Sequence, residues 1–187
     1  MKKIISLIIL LTTINSITGQ TRTINTKEST IKWFGKELST KEHFGSLKFI
    51  KGEYTTLNDL IKSGEFIVDM TTLEVHDLEG IGKEKLEGHL KSNDFFSVET
   101  HKNAKLIILG SRFKNDSNNQ INGELTIKGK THPIKFLMEV KEKKAEAKLT
   151  FDRSIYDVRF RSGSFFENLG DKLIYDDIRL EINLIFN

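Results

Sequence analysis

The chain of 187 residues contains no cysteine, so neither a disulfide nor a thiolate nucleophile is available to it. No cysteine follows its N-terminal apolar run either, which excludes a lipid-modified N-terminus. Stability must then come from packing alone, over a chain long enough for one well-filled domain. Proline occurs once, at Pro133, and tryptophan once, at Trp33. The apolar run Ile4 to Leu11 is far shorter than the roughly 20 residues that span a bilayer as a helix. It follows Met1-Lys2-Lys3 and leads through Thr, Asn and Ser residues to Gly19-Gln20, the layout of a secretory signal. We therefore expect a signal peptide over residues 1–19 and a mature periplasmic or secreted domain over 20–187. An excess of one charge is missing as well. Removing residues 1–19 takes away Lys2 and Lys3 and no acid, leaving 27 basic residues against 26 acidic ones. Near neutrality with interspersed signs gives no electrostatic ground for nucleic acid or an anionic membrane as partner. The cluster Lys141-Glu142-Lys143-Lys144 reads as a solvated hairpin tip.

What the chain does have is alternation. Ile121 to Lys128 and Ile134 to Val140 alternate apolar with polar residues around Gly129-Lys130, and Leu137 is the one exception. Ala145 to Phe151 pairs across the Lys-rich tip with Ala147, Leu149 and Phe151 inward, and Ile178 to Phe186 is the longest alternating run. Earlier strands are expected at Thr30 to Lys36, at Glu42 to Ile50 with Gly52 starting a turn, at Gly64 to Met70, and at Ala104 to Leu109. Thr56 to Ser63 reads as a turn or a single helical turn, and Asn115 to Asn119 as a polar turn. One segment, roughly Gly80 to Lys91, has helical spacing, with Leu86, His89 and Leu90 on one face. Ser92-Asn93-Asp94 stops it, and the aromatic pair Phe95-Phe96 follows. About eight strands, each with one apolar face, make an antiparallel sheet; a closed barrel and a β-sandwich both satisfy the pattern.

Catalytic and metal chemistry find little support. His43, His76, His89, His101 and His132 are scattered without zinc-ligand spacing, so no metal is expected. Ser162-Gly163-Ser164 lacks the setting of a hydrolase nucleophile and reads as a chance serine pair. Asp176-Asp177 should be solvated in a turn before the last strand, and no cofactor motif is present. Arg153 falls two residues after the inward Phe151 and should lie on the interior face, paired with an acid or a carbonyl, or holding a ligand head group.

Four blocks in fixed order carry a resemblance. They are Ser29 to Trp33 with His43-Phe44-Gly45, Gly64 to Met70, Gly88 to Glu99, and Gly123 to Ile134. Together they resemble the YceI-like family of exported lipid- or polyisoprenoid-binding proteins over nearly all of the mature chain. One departure is His101-Lys102, where the family carries an aromatic–proline pair. The resemblance implies an all-β, eight-stranded antiparallel, lipocalin-like barrel with one short helix covering an end. It further implies a long apolar ligand inside, such as a polyisoprenoid, an isoprenoid quinone or a fatty-acyl lipid, and no catalytic centre or cofactor. The expected ligand set is then Trp33, Phe66, Met70, Leu90, Phe95 and Phe96 from the first half. From the second half come Leu125, Ile127, Phe136, Met138, Phe151 and Phe186, with His43, His89 and Arg153 as the polar members. A homodimer is left open. The alternative is a non-enzymatic envelope module whose barrel is filled, because a packed core and a dry lipid tunnel use the same residue types.

Overall fold

The structure is a computed structural model and describes residues 19–38, 42–113 and 118–187. Apart from Gly19, the expected signal peptide lies outside the described residues, as do Asn115, Asp116 and Ser117 of the expected polar turn. Nine strands form one sheet: β1 (Gln20–Thr23), β2 (Thr30–Lys36), β3 (Glu42–Leu57), β4 (Leu60–Val75), β5 (Asn103–Phe113), β6 (Asn118–Ile127), β7 (Lys130–Val140), β8 (Lys144–Asp152) and β9 (Asp177–Ile185). Among the described residues one α-helix, α1 (Gly80–Lys91), interrupts them between β4 and β5. Every pairing is antiparallel, and the order β1-β3-β2-β9-β8-β7-β6-β5-β4 closes through β3 against β4. Strand β1 extends the course of β2 along β3, so the wall is a barrel of eight staves. Closure removes the edges that an open sheet would present.

The two longest strands overturn part of the local reading. Gly52 starts no turn; it pairs with Phe66 in mid-strand. A Cβ there would lie 2.5 Å from the Phe66 ring, so glycine is the residue that lets this ring fill the interior. The segment from Thr56 to Ser63 is not helical either. Asn58 and Asp59 (φ 52° and 62°) form a two-residue reversal, and Leu57 pairs with Leu60 across it. Register shifts at Ser46/Lys48, Phe49/Lys51 and Thr55/Thr56 bend these 16-residue strands around the barrel. Strand β5 continues past Leu109 to Phe113, and Lys128-Gly129 (φ 51° and 73°) turn β6 into β7.

Between neighbouring staves the shortest pairing is that of β7 with β8. Strands β7 and β8 pair only over Leu137–Val140, so the first half of β7 lacks a partner on that side. Pro133, which has no N–H to donate, sits in this stretch. The gap is filled by Tyr156, from a 3-10 turn after β8, whose ring stands edge-on to Phe151 and His132 at 5.7 and 5.1 Å. The opposite end of the barrel is packed shut by Tyr54, Ile61 and Ile121, none more than 1% exposed.

Candidate functional site

A cavity of about 530 Å³ occupies the barrel, within the range of roughly 300–1,000 Å³ usual for small-molecule sites. Its walls come from the inward residues of every long strand. Trp33, Phe66, Met70, Leu125, Ile127, Phe136, Met138 and Phe151 all line it, joined by Phe49, Leu73, Ala147, Leu149 and Leu180. Trp33 is fixed by donating its indole N–H to the Glu74 carbonyl at 3.2 Å. That approach requires glycine next door, since a Cβ on Gly45 would fall 1.8 Å from the same carbonyl oxygen.

The end that β2 leaves and β3 enters is covered, not sealed. Helix α1 lies across it, and Ser92 terminates the helix with both its N–H and its hydroxyl donating to the His89 carbonyl. The chain then doubles back: Phe96 N–H donates to Leu90 O and Val98 N–H to Lys91 O. This hairpin drives Phe95 and Phe96 inward as an edge-to-face pair with centroids 4.9 Å apart. Both are buried and both line the cavity, as do Leu86, His89 and Leu90. Leu90 is the only buried residue of α1, and Glu87, accepting the Val75 N–H at 2.9 Å, ties the helix to β4. A second cover is the segment 154–176, which contributes Phe160, Arg161 and Ile174 to the lining.

The polar residues at this end differ in what they do. His43 lines the mouth and shares a 2.7 Å hydrogen bond with Asp77 Oδ2, while Asp77 Oδ1 accepts the Phe44 N–H at 3.0 Å. Burial raises the Asp77 carboxyl, but the Phe44 and His43 bonds outweigh it and hold the group below its ordinary value. His89 stands edge-on to Phe160 and Phe95 at 4.2 and 5.7 Å, with its Nε2 buried and without a hydrogen-bond partner. Burial pushes its imidazole below the ordinary value, Asp94 opposes this, and Arg161 adds to it.

Two residues expected in the ligand set stand elsewhere. Arg153 is fully buried, yet it does not border the cavity. Its guanidinium donates to the carbonyls of Val158, Ile174 and Tyr175 at 2.9–3.2 Å, lies 5.2 Å from the Phe95 centroid, and forms an ion pair with Asp176 Oδ1 at 3.2 Å. Phe186 lies one residue beyond β9 at the packed end, edge-on to Tyr54 at 5.4 Å, with its N–H donating to Lys143 O. The serine pair and the acid also change meaning. Ser162 and Ser164 both donate to Asp176 Oδ2 at 2.8 Å, so the half-buried Asp176 anchors a hydrogen-bond network and is not a free turn residue. Among the described residues no three His, Asp or Glu side chains converge to hold a metal ion. The mouth residues Lys36, Lys85 and Arg161 carry no sequence signal of their own, since a strand end, the helix and a loop far apart in the chain contribute them to one cavity lining.

Comparisons with known proteins agree on the architecture. The YceI-like domain family description matches residues 23–186. Among solved structures, BcnA of Burkholderia cenocepacia superposes with a TM-score of 0.62 at 14% identity, covering 87% of this chain and 98% of that one. A polyisoprenoid binding domain from Saccharophagus degradans, implicated in plant cell wall breakdown, gives 0.58 at 11% identity over 89% and 97%. The YCEI protein of Campylobacter jejuni gives 0.54 at 13% over 99% and 93%. No curated protein matches the sequence.

Proposed function

The chain belongs to the YceI-like family, and from that premise we propose that it is an exported binding protein that holds one long apolar molecule inside its barrel, for sequestration or transport. The observation that carries this reading is the 530 Å³ cavity enclosed by apolar side chains. A packed core would leave no such space, because protein interiors close to near-crystalline density. The cavity therefore speaks for a ligand and against the filled-barrel alternative. The similarity to a polyisoprenoid binding domain supports a polyisoprenoid, and an isoprenoid quinone or a fatty-acyl lipid would suit the same apolar walls. At about 0.8 kcal/mol per buried methylene, such a chain binds with few polar contacts, which suits a wall of Phe, Leu, Ile and Met.

The reading is one of binding without turnover. At the mouth His43 is committed to Asp77, and the buried Ser162 hydroxyl to Asp176. Native mass spectrometry and organic extraction of the purified chain test the proposal. Recovery of one stoichiometric apolar compound is expected. A chain that emerges empty, and that takes up no lipid when offered it, would falsify the reading.

A further inference from the structure

The cavity is apolar except at its mouth, and there the charges are unequal. Lys36 at the end of β2, Lys85 on α1 and Arg161 on the second cover line it, with Lys105 of the wall strand β5, against one carboxylate, Glu37. Among the described residues neither Lys36, Lys85 nor Arg161 forms an ion pair. Their observed neighbours are rings: the Lys36 ammonium lies 5.9 Å from the Tyr175 centroid and the Arg161 guanidinium 5.0 Å from that of Phe160. Arg161 is also held in place. Its backbone is left-handed (φ 49°), its carbonyl accepts the Ile174 N–H at 2.9 Å, and the next residue, Ser162, is fully buried on Asp176. A non-glycine residue in that conformation is uncommon and persists where surrounding contacts impose it. The Arg161 backbone is therefore fixed beside the cavity and its guanidinium carries no ion pair, whereas Arg153 is saturated by its carbonyls and Asp176.

We propose that the ligand is an amphiphile with an anionic head, carboxylate or phosphate, which Arg161, Lys85 and Lys36 bind at the mouth while the apolar chain fills the barrel. The inference rests on the ligand-binding reading above and names the ligand's head. The planar guanidinium fork matches either anion bidentately, and the two ammonium groups add point charges around it. A neutral alcohol or quinone of the same length buries the same chain but leaves these cations unanswered.

The test uses the mature chain stripped of lipid, with hexadecanoic acid, hexadecyl phosphate and hexadecan-1-ol as probes at pH 8. The emission of Trp33, the single tryptophan and a cavity residue, reports binding. At least one anionic probe should bind about tenfold tighter than the alcohol, the effect of one charge-assisted hydrogen bond. Arg161→Gln should remove most of that preference and Arg161→Lys should restore part of it, the preference being read in each variant as the ratio of anion to alcohol affinity. Gln and Lys suffer no more at this backbone angle than Arg, so the fold is retained. Whichever anion binds tighter identifies the head. Equal binding of all three probes, or an unchanged preference in Arg161→Gln, overturns the inference and leaves the barrel reading intact. Binding of none of the three overturns both.

Discussion

Replacing Arg153 with alanine tests the second cover of the barrel. The side chain is fully buried, donates three hydrogen bonds to main-chain carbonyls and faces Asp176 across 3.2 Å. Truncation leaves a half-buried carboxylate and three carbonyls without their cation. Removing one partner of a buried ion pair costs about 3–5 kcal/mol, and for a chain of this size each kcal/mol moves Tm by about 2–4 °C. The expected fall is thus roughly 6–20 °C, read by circular dichroism or calorimetry. Because Arg153 bonds Val158, Ile174 and Tyr175, the loss should fall on the segment that carries Phe160, Arg161 and Ile174 to the mouth. Ligand dissociation should accelerate in the same variant. Asp176→Ala combined with Arg153→Ala should cost less than the two changes summed, with a coupling of about 0.5–3 kcal/mol. A loss below about 1 kcal/mol would show that water or neighbouring donors replace the guanidinium, and the tether argument would fail. A loss of affinity with no loss of stability would return Arg153 to the role of a head-group contact.

Other expectations are shorter. Phe95→Ala with Phe96→Ala should speed ligand release in a stopped-flow assay more than it lowers Tm, because both rings already border empty space; a domain that simply unfolds would show them to be core. Ala147→Leu adds apolar volume to a wall residue of the cavity, so it should raise or preserve the Tm of the empty protein while reducing ligand uptake, and unchanged uptake would place the ligand elsewhere. His89 has its imidazole pushed down by burial, so the unfolded chain binds the proton more readily than the folded one. Stability should accordingly fall as the pH drops from about 6.5 through the lowered folded-state value, and His89→Gln should flatten that part of the urea-midpoint profile. An identical slope in the variant would remove His89 from the account.

The regular part of the fold was legible because alternation maps directly onto a wall with one wet and one dry face. Ile121 to Ile127, Ile134 to Val140 and Ile178 to Ile185 are strands for that reason, and the helix with its Phe95-Phe96 return was readable from Leu86, Leu90 and the Ser-Asn-Asp stop. Alternation fails where a bulge adds a residue. Leu57, Leu60 and Ile61 have helical spacing only because a two-residue reversal at Asn58-Asp59 separates two strands, and that dipeptide was the missed signal. Most of the inward residues reach the cavity, yet periodicity places a side chain indoors without telling a cavity from a core, and Phe186 and Arg153 were indoors in the wrong place for a ligand. Arg161 and the network of Ser162, Ser164 and Asp176 depend on a loop folding back over 14 residues, a proximity that no local pattern encodes.

The short pairing between β7 and β8 has a mechanical consequence. The flanking pairs β6–β7 and β8–β9 run over ten and nine positions, whereas this one runs over four. A hoop stretched from inside opens first where it is stitched least. Beside Pro133 no hydrogen bond to β8 has to break, and the gap is filled by Tyr156, which hangs from the segment that Arg153 tethers. The seam can therefore serve as an expansion joint. A guest too thick for the resting barrel would widen it along this line, and would strain the second cover in doing so.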